Sequence, residues 1–284
     1  MIRKFLFLIL IVLSTSAQAV FTNNDIEICK TKFKLAFEKD LFEKPIDEVI
    51  IEIGKSFLGL DYEAHTLERG VDEKLVVHLT GLDCYTFLEA SLVFARCIKL
   101  GDTTFACFQS ELENIRYRNG KLNEYPSRLH YFSDWIFDMD ARRIARDITN
   151  EIGGIPYQNN VNFMSTHPNS YMQLKANPAL VEEIEKIENE ISSRDYFYIP
   201  EDKIKLIEEK IEPGDILGIT TNIKGLDISH TGIAIRMDDG RIHLLHAPNV
   251  GKQIEISEKP LAEYIQSIKQ QTGIMVVRPL EIKK

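Results

Sequence analysis

Leu75-Val76-Val77-His78-Leu79 and, two residues on, Leu82-Asp83-Cys84-Tyr85-Thr86-Phe87-Leu88-Glu89 set a short apolar segment against the start of a helix. From Cys84 the apolar or small positions recur at Phe87, Leu88, Ser91, Ala95 and Ile98, a helix-period stripe that faces a core. Asp83 then occupies the N-cap. The thiol falls in the first turn, where the positive end of the helix dipole and unpaired backbone N–H groups favour thiolate over thiol. A nucleophile belongs there. So does a buried, inert cysteine, and the position alone leaves both open.

Working outward, the chain has 284 residues, 44% of them apolar, enough for one large domain with a sizeable core. Residues 1–19 read as a secretory signal: Arg3 and Lys4, the apolar run Phe5 to Leu13, then Ala17-Gln18-Ala19 as a cleavage site, so the mature chain is expected to start at Val20. The apolar run is short for a bilayer span, no later stretch approaches ~20 apolar residues, and the first cysteine, Cys29, lies beyond the cleavage site. The expectation is an exported product, periplasmic in location, with no stable membrane anchor. Removing the leader takes the formal charge from −9 to −11, because Arg3 and Lys4 leave with it, which argues against nucleic acid as a partner. Four cysteines, Cys29, Cys84, Cys97 and Cys107, are too few for a disulfide scaffold, and if Cys84 stays free at most one bridge forms among the other three. No C-x-x-C, no H-E-x-x-H and no tight His/Cys/Asp cluster occurs, so neither a metal nor another cofactor is expected.

Residues 24–57 read as two helices divided at Pro45, Ile26 to Phe42 and Ile46 to Phe57. A glycine-punctuated loop through Gly59-Leu60-Asp61-Tyr62 then leads toward Cys84. Beyond the Cys84 helix, Phe105 to Tyr117 reads as helix. The cluster Arg128-Leu129-His130-Tyr131-Phe132-Ser133-Asp134-Trp135 suits either a substrate-facing wall or a helix start capped by Ser133 or Asp134 with its aromatics in the core. His167 is structural or substrate-facing. Ala179 to Ile191 and Glu201 to Glu209 are charged helical runs, with Pro200 at a plausible first helical position, and the helices around 100–210 look like an insertion within one domain spanning 20–284. From Gly214 the texture turns to strands: Asp215 to Thr221, Ser229 to Met237, Arg241 to Ala247, Gln253 to Ile256 and Gly273 to Arg278, with one helix from Leu261 to Lys269. Helices first and a mostly antiparallel sheet after them is an α+β layout.

Two histidines on that sheet complement the cysteine. A three-residue loop Asp238-Asp239-Gly240 pairs Met237 with Arg241 and therefore Gly232 with His246. His246 then shares a face with His230, diagonally displaced, and the side-chain-free Gly232 leaves room between them. His243 pairs with Ile235 and faces away. A two-residue Asp239-Gly240 loop would shift the register by one and reverse the choice. Cysteine, histidine and a same-face orienting group form the set that amide hydrolysis through a thioester needs: a nucleophile, a base that takes and returns a proton, and a partner that fixes the base's tautomer.

Gly59-Leu60-Asp61-Tyr62, Asp83-Cys84-Tyr85-Thr86-Phe87, His230-Thr231-Gly232-Ile233 and His243-Leu244-Leu245-His246-Ala247 resemble, in that order, the NlpC-type branch of the papain-like cysteine peptidases, a superfamily of cell-wall hydrolases. More narrowly, Arg128 to Trp135, Asn162-Phe163-Met164-Ser165-Thr166-His167-Pro168 and Gly225-Leu226-Asp227-Ile228-Ser229-His230 resemble the N-acetylmuramoyl-L-alanine amidase-like family within it, over roughly residues 50 to 280. The resemblance implies a papain-like core with the nucleophile's helix packed on the sheet, Cys84 as nucleophile, His230 as base and His246 as its orienting partner. It places Tyr62 near the thiol, where its hydroxyl assists the oxyanion. Arg128, His130, Tyr131, His167 and Ser229 are the candidate substrate-binding residues. The chain departs from the wider superfamily in carrying Tyr85-Thr86 after the cysteine and Pro248 after Ala247. The expected substrate is peptidoglycan or muropeptides, and the expected scissile bond is the amide between N-acetylmuramic acid and L-alanine. A stem-peptide endopeptidase, cutting between D-glutamate and the diamino acid, and an inactive peptidoglycan-binding module are the competing readings.

Overall fold

The computed structural model describes residues 19–158, 160–249 and 252–283. The proposed leader, apart from Ala19, lies outside the described residues. In chain order the helices are α1 (Asn23–Glu38), α2 (Ile46–Lys55), α3 (Cys84–Leu100), α4 (Phe105–Arg116), α5 (Phe132–Ala141), α6 (Thr149–Ile152), α7 (Phe163–Thr166), α8 (Met172–Ala176), α9 (Ala179–Ser192), α10 (Ile204–Ile207) and α11 (Leu261–Gln266). The strands are β1 (Ala145–Asp147), β2 (Ile155–Pro156), β3 (Phe197–Pro200), β4 (Ile216–Thr221), β5 (Ile228–Arg236), β6 (Ile242–His246), β7 (Glu255–Ile256) and β8 (Gln271–Pro279). They form one antiparallel sheet ordered β2-β3-β8-β4-β5-β6-β7, with β1 also on β8. This is the α+β arrangement read from the sequence.

The sheet is covered on both sides, and alternation along its strands shows how. Ile216, Ile233, Ile235, Leu245, Met275 and Val277 join the core formed with α1 to α5, while Leu217, Ile219, Ala234, Leu244, Ile274 and Val276 pack with Leu261 and Ile265 of α11. Burial on both faces is why β4 reads as an almost continuous apolar run. Gly218 interrupts that run because a Cβ there would stand 2.2 Å from the ring of Phe132, the first residue of α5.

Three strands were not read from the sequence. β1, β2 and β3 lie in the stretch taken as helical insertion, and they extend the sheet beyond β8. Each is four residues or fewer, too short for a two-residue period to register. Pro200 ends β3 rather than opening a helix. The start of α5 is satisfied in a way local sequence does not encode: no side chain of its own caps it, and the Ser133 N–H donates 2.7 Å to a carboxylate oxygen of Asp227, a residue just ahead of β5.

Candidate active site

Cys84 is the first residue of α3, and a capping box holds it there. The Asp83 carboxylate accepts from the N–H groups of Tyr85 (3.1 Å) and Thr86 (2.8 Å), while the Thr86 hydroxyl accepts from the Asp83 N–H (3.0 Å). Cys84 as a whole is half-buried. Backbone N–H groups of Thr231, Tyr85 and Cys84 itself favour the ionised form of its thiol. Thr231 follows His230 in β5, the strand against which α3 packs. Tyr62 is held alongside: Leu82 N–H donates to Asp61 (3.2 Å), Glu63 N–H to Leu82 (3.3 Å) and Tyr62 N–H to Lys252 (2.9 Å).

The β5–β6 hairpin has the register of a three-residue loop. Gly240 adopts φ 79°, the Met237 N–H donates to Arg241, and Ile233 pairs with Leu245, which puts Gly232 opposite His246. His230 Nε2 and His246 Nδ1 are 2.7 Å apart with their rings near perpendicular. Gly232 is needed for this approach, since a Cβ there would stand 3.0 Å from that of His246 and 2.8 Å from the Leu245 carbonyl oxygen. His243 pairs with Ile235 and turns the other way, its ring bonded to the Ser257 carbonyl (2.7 Å) and close to Asp239 (3.1 Å). His246 is fully buried, and its Nε2 has no hydrogen-bond partner in the structure.

Electrostatics corrects one expectation. The helix terminus was expected to favour a thiolate, yet burial pushes the Cys84 thiol up to about 12, and the adjacent Asp83 carboxylate acts in the same direction; the three N–H groups oppose them only in part. Burial holds His230 down at about 4, and burial together with the neighbouring His230 holds His246 at about 3. Near pH 7 the resting pair is therefore thiol and neutral imidazole. Tyr62 is raised to about 12 by burial, then by the charges of Cys84 and Asp83, so its hydroxyl stays protonated and able to donate.

The remaining sequence candidates divide. Arg128 is buried, with its guanidinium paired to Glu73 (2.6 Å) and Glu68 (2.8 Å). Tyr131 is buried and donates to Glu188 (2.6 Å). Phe132 is buried against Trp135, and His130 is bonded to the Tyr125 carbonyl (3.0 Å) beside the Tyr125 ring. The aromatic wall read from these residues is thus largely interior, because Arg128 and Tyr131 are engaged by acids distant in sequence and His130 by the nearby Tyr125 carbonyl. Ser229 and His167 are exposed, the latter stacked on Phe163 at 4.3 Å.

Three neighbours of the site were missed. The Thr231 amide had no side-chain signal. Tyr264 of α11 lies edge-on to His246 at 5.2 Å, a position no local pattern marks. Glu89, just over a turn beyond Cys84, is fully buried and takes a two-pronged pairing from Arg116 of α4, whose third nitrogen donates to the Val76 carbonyl (2.6 Å). That pairing ties α3 to α4 and to the segment ahead of the cysteine. Among the described residues no group of three or more His, Cys, Asp or Glu side chains is arranged to hold a metal ion.

With this geometry in place, known proteins similar to the chain can be set beside it. Residues 52–274 match the family described as AmiA-like, N-acetylmuramoyl-L-alanine amidase-like. A crystal structure of an N-acetylmuramoyl-L-alanine amidase from Bacteroides uniformis is 34% identical, with a TM-score of 0.78 over 82% of this chain and 98% of that one. A structure from Bacteroides fragilis described as a putative xylanase is 37% identical, with a TM-score of 0.73 over 79% and 98%. A Legionella pneumophila protein shares the fold at 20% identity, with a TM-score of 0.68 over 91% and 97%. No curated protein matches.

Proposed function

The chain belongs to the N-acetylmuramoyl-L-alanine amidase-like family of peptidoglycan hydrolases, and on that premise we propose that it is an exported, papain-like cysteine hydrolase that cuts the amide joining N-acetylmuramic acid to the L-alanine of the stem peptide. One observation carries the cysteine mechanism: Cys84 opens α3, which packs against β5, and His230 on β5 has its Nε2 on His246. With Nε2 so engaged, Nδ1 of His230 is the nitrogen left to take the thiol proton. Attack by the sulfur on the lactyl carbonyl carbon gives a tetrahedral oxyanion, toward which Tyr62 and nearby N–H groups donate. The proton held by His230 passes to the departing L-alanine nitrogen, leaving a muramoyl thioester on Cys84. Water, deprotonated by His230, then releases the muramic acid carboxylate and restores the thiol.

The neutral resting pair fits a step in which deprotonation accompanies attack, because neither partner is ionised beforehand. Export is supported by the composition of residues 1–19 and by Val20, which is already hydrogen-bonded to Leu75 (2.8 Å) and Val77 (2.9 Å). A single domain over 20–284 is supported by strands from 145 to 279 sharing one sheet. The bond choice rests on the family and on the description of the Bacteroides uniformis relative. Mass spectrometry of defined muropeptides after incubation tests it. The expected products are an intact stem peptide with a free L-alanine amine and a peptide-free muramic-acid sugar. L-Ala-D-Glu left on the sugar would replace this reading with the endopeptidase one.

A further inference from the structure

The mechanism uses one of four cysteines. The other three lie together in the core shared by α1, α3 and α4. Cys97 is one turn from the end of α3, and Cys107 is in the first turn of α4. The hairpin between them is built by caps acting on these same two residues. Gly101 adopts φ 76°, the Asp102 N–H donates back to the Cys97 carbonyl (3.1 Å), and the Thr104 hydroxyl accepts from the Cys107 N–H (3.1 Å). Both cysteine backbones are thereby pinned. Their sulfur atoms are 2.9 Å apart, about 0.9 Å beyond a disulfide bond length. Cys29 of α1, in the same core, has its thiol raised by burial and secondarily by Cys107, and no sulfur contact of this kind is seen for it.

We propose that Cys97 and Cys107 are an oxidative modification site, a preset dithiol that a small-molecule disulfide converts to a bond tying α3 to α4. Cys107 is the thiol nearer to solvent, 9% exposed against 0% for Cys97, so it reacts first. Its thiolate attacks one sulfur of the small disulfide, a mixed disulfide forms, and one small thiolate leaves and takes up a proton. Cys97 then gives up its proton and attacks the Cys107 sulfur, and the second small thiol departs. Two protein thiols are oxidised and one small disulfide is reduced to two thiols. The bond lies 13 residues along α3 from Cys84, about 20 Å of helix, so it should brace the helix hairpin without altering the reacting atoms.

The test uses the full-length mature protein, first reduced and then incubated with oxidised glutathione without denaturant. The mixture is alkylated and digested with trypsin. Cleavage after Arg96, Lys99 and Arg116 separates the two cysteines onto the peptides 97–99 and 100–116. The expected result is these two peptides joined by a disulfide, with Cys29 in no bridge. Closing this short loop should raise the melting temperature by about 5–10 °C over the reduced protein. Cys107→Ser should show no such rise. A bridge containing Cys29, a glutathione adduct at Cys107 that never resolves onto Cys97, or an equal rise in Cys107→Ser would overturn the proposal.

Discussion

His230 Nε2 lies 2.7 Å from His246 Nδ1, across the gap left by Gly232. In the proposed mechanism this contact leaves Nδ1 of His230 for proton transfer and gives His246 the part of holding that ring and its tautomer. His230→Ala is expected to lower kcat by orders of magnitude, and His246→Ala by less, since an orienting group contributes less than the base it orients. His243→Ala should leave kcat nearly intact while costing about 1 kcal/mol of stability through its lost bond to Ser257. Steady-state kinetics of the three variants checks the order. A loss at His243 matching that at His230 would contradict the assignment.

Gly232 should be as sensitive as the histidines it separates. A Cβ at this position meets the Leu245 backbone and His246, neither of which is the flexible end of a side chain. Gly232→Ala is therefore expected to cost about 1–3 kcal/mol and to lower kcat more than it raises KM, because it displaces the orienting ring. Urea unfolding alongside kinetics separates the two effects. An alanine variant with unchanged kcat would show that the ring contact is not needed.

The resting charge state gives a pH signature. Alkylation of Cys84 by iodoacetamide should be slow at pH 6 and keep rising through pH 9, since burial and Asp83 hold the thiol near 12. Asp83→Asn retains an N-cap acceptor while removing the charge, so it should shift that profile toward lower pH. A rate already at its plateau by pH 6 would mean a preformed thiolate and imidazolium pair.

The same burial links histidine protonation to stability. His230 and His246 are held at about 4 and 3 in the folded protein, below the usual value near 6.5, so the unfolded chain binds more protons between those limits. Stability is thus fully present above pH 6.5 and declines as the pH falls toward 4, by up to about 1.4 kcal/mol per pH unit for each ring. Denaturant titrations at pH 7 and pH 5 on wild type and on His246→Ala test this. The variant should lose less stability between the two.

Beyond Cys84 on α3, the Glu89 and Arg116 pair predicts a different behaviour. Arg116→Met leaves a buried carboxylate unpaired and should destabilise by about 3–5 kcal/mol, whereas adding Glu89→Leu should recover much of that loss. A double variant no more stable than Arg116→Met would assign the cost to packing.

What could be read beforehand follows from the range of the interactions involved. Helix α3, its Asp83 cap and the β5–β6 register are set by neighbours within a few residues, so the periods and the turn at Gly240 carried them. Arg128 and Tyr131 looked substrate-facing because their partners, Glu73 and Glu188, are 55 and 57 residues away in the chain. The high thiol pKa was equally hidden, as burial by the whole fold outweighs the favourable first turn. Strands β1 and β3 are visible only once β8 is there to pair with, and β2 only once β3 is in place.

The most direct test of the central claim is the mass of the covalent intermediate. Wild-type protein mixed with a muropeptide, quenched in acid during turnover and digested, should carry an N-acetylmuramoyl thioester on Cys84, in the tryptic peptide spanning residues 75–96. That single adduct identifies both the nucleophile and the scissile bond. An acyl group on another residue, or one on Cys84 that still includes L-Ala-D-Glu, would contradict the account.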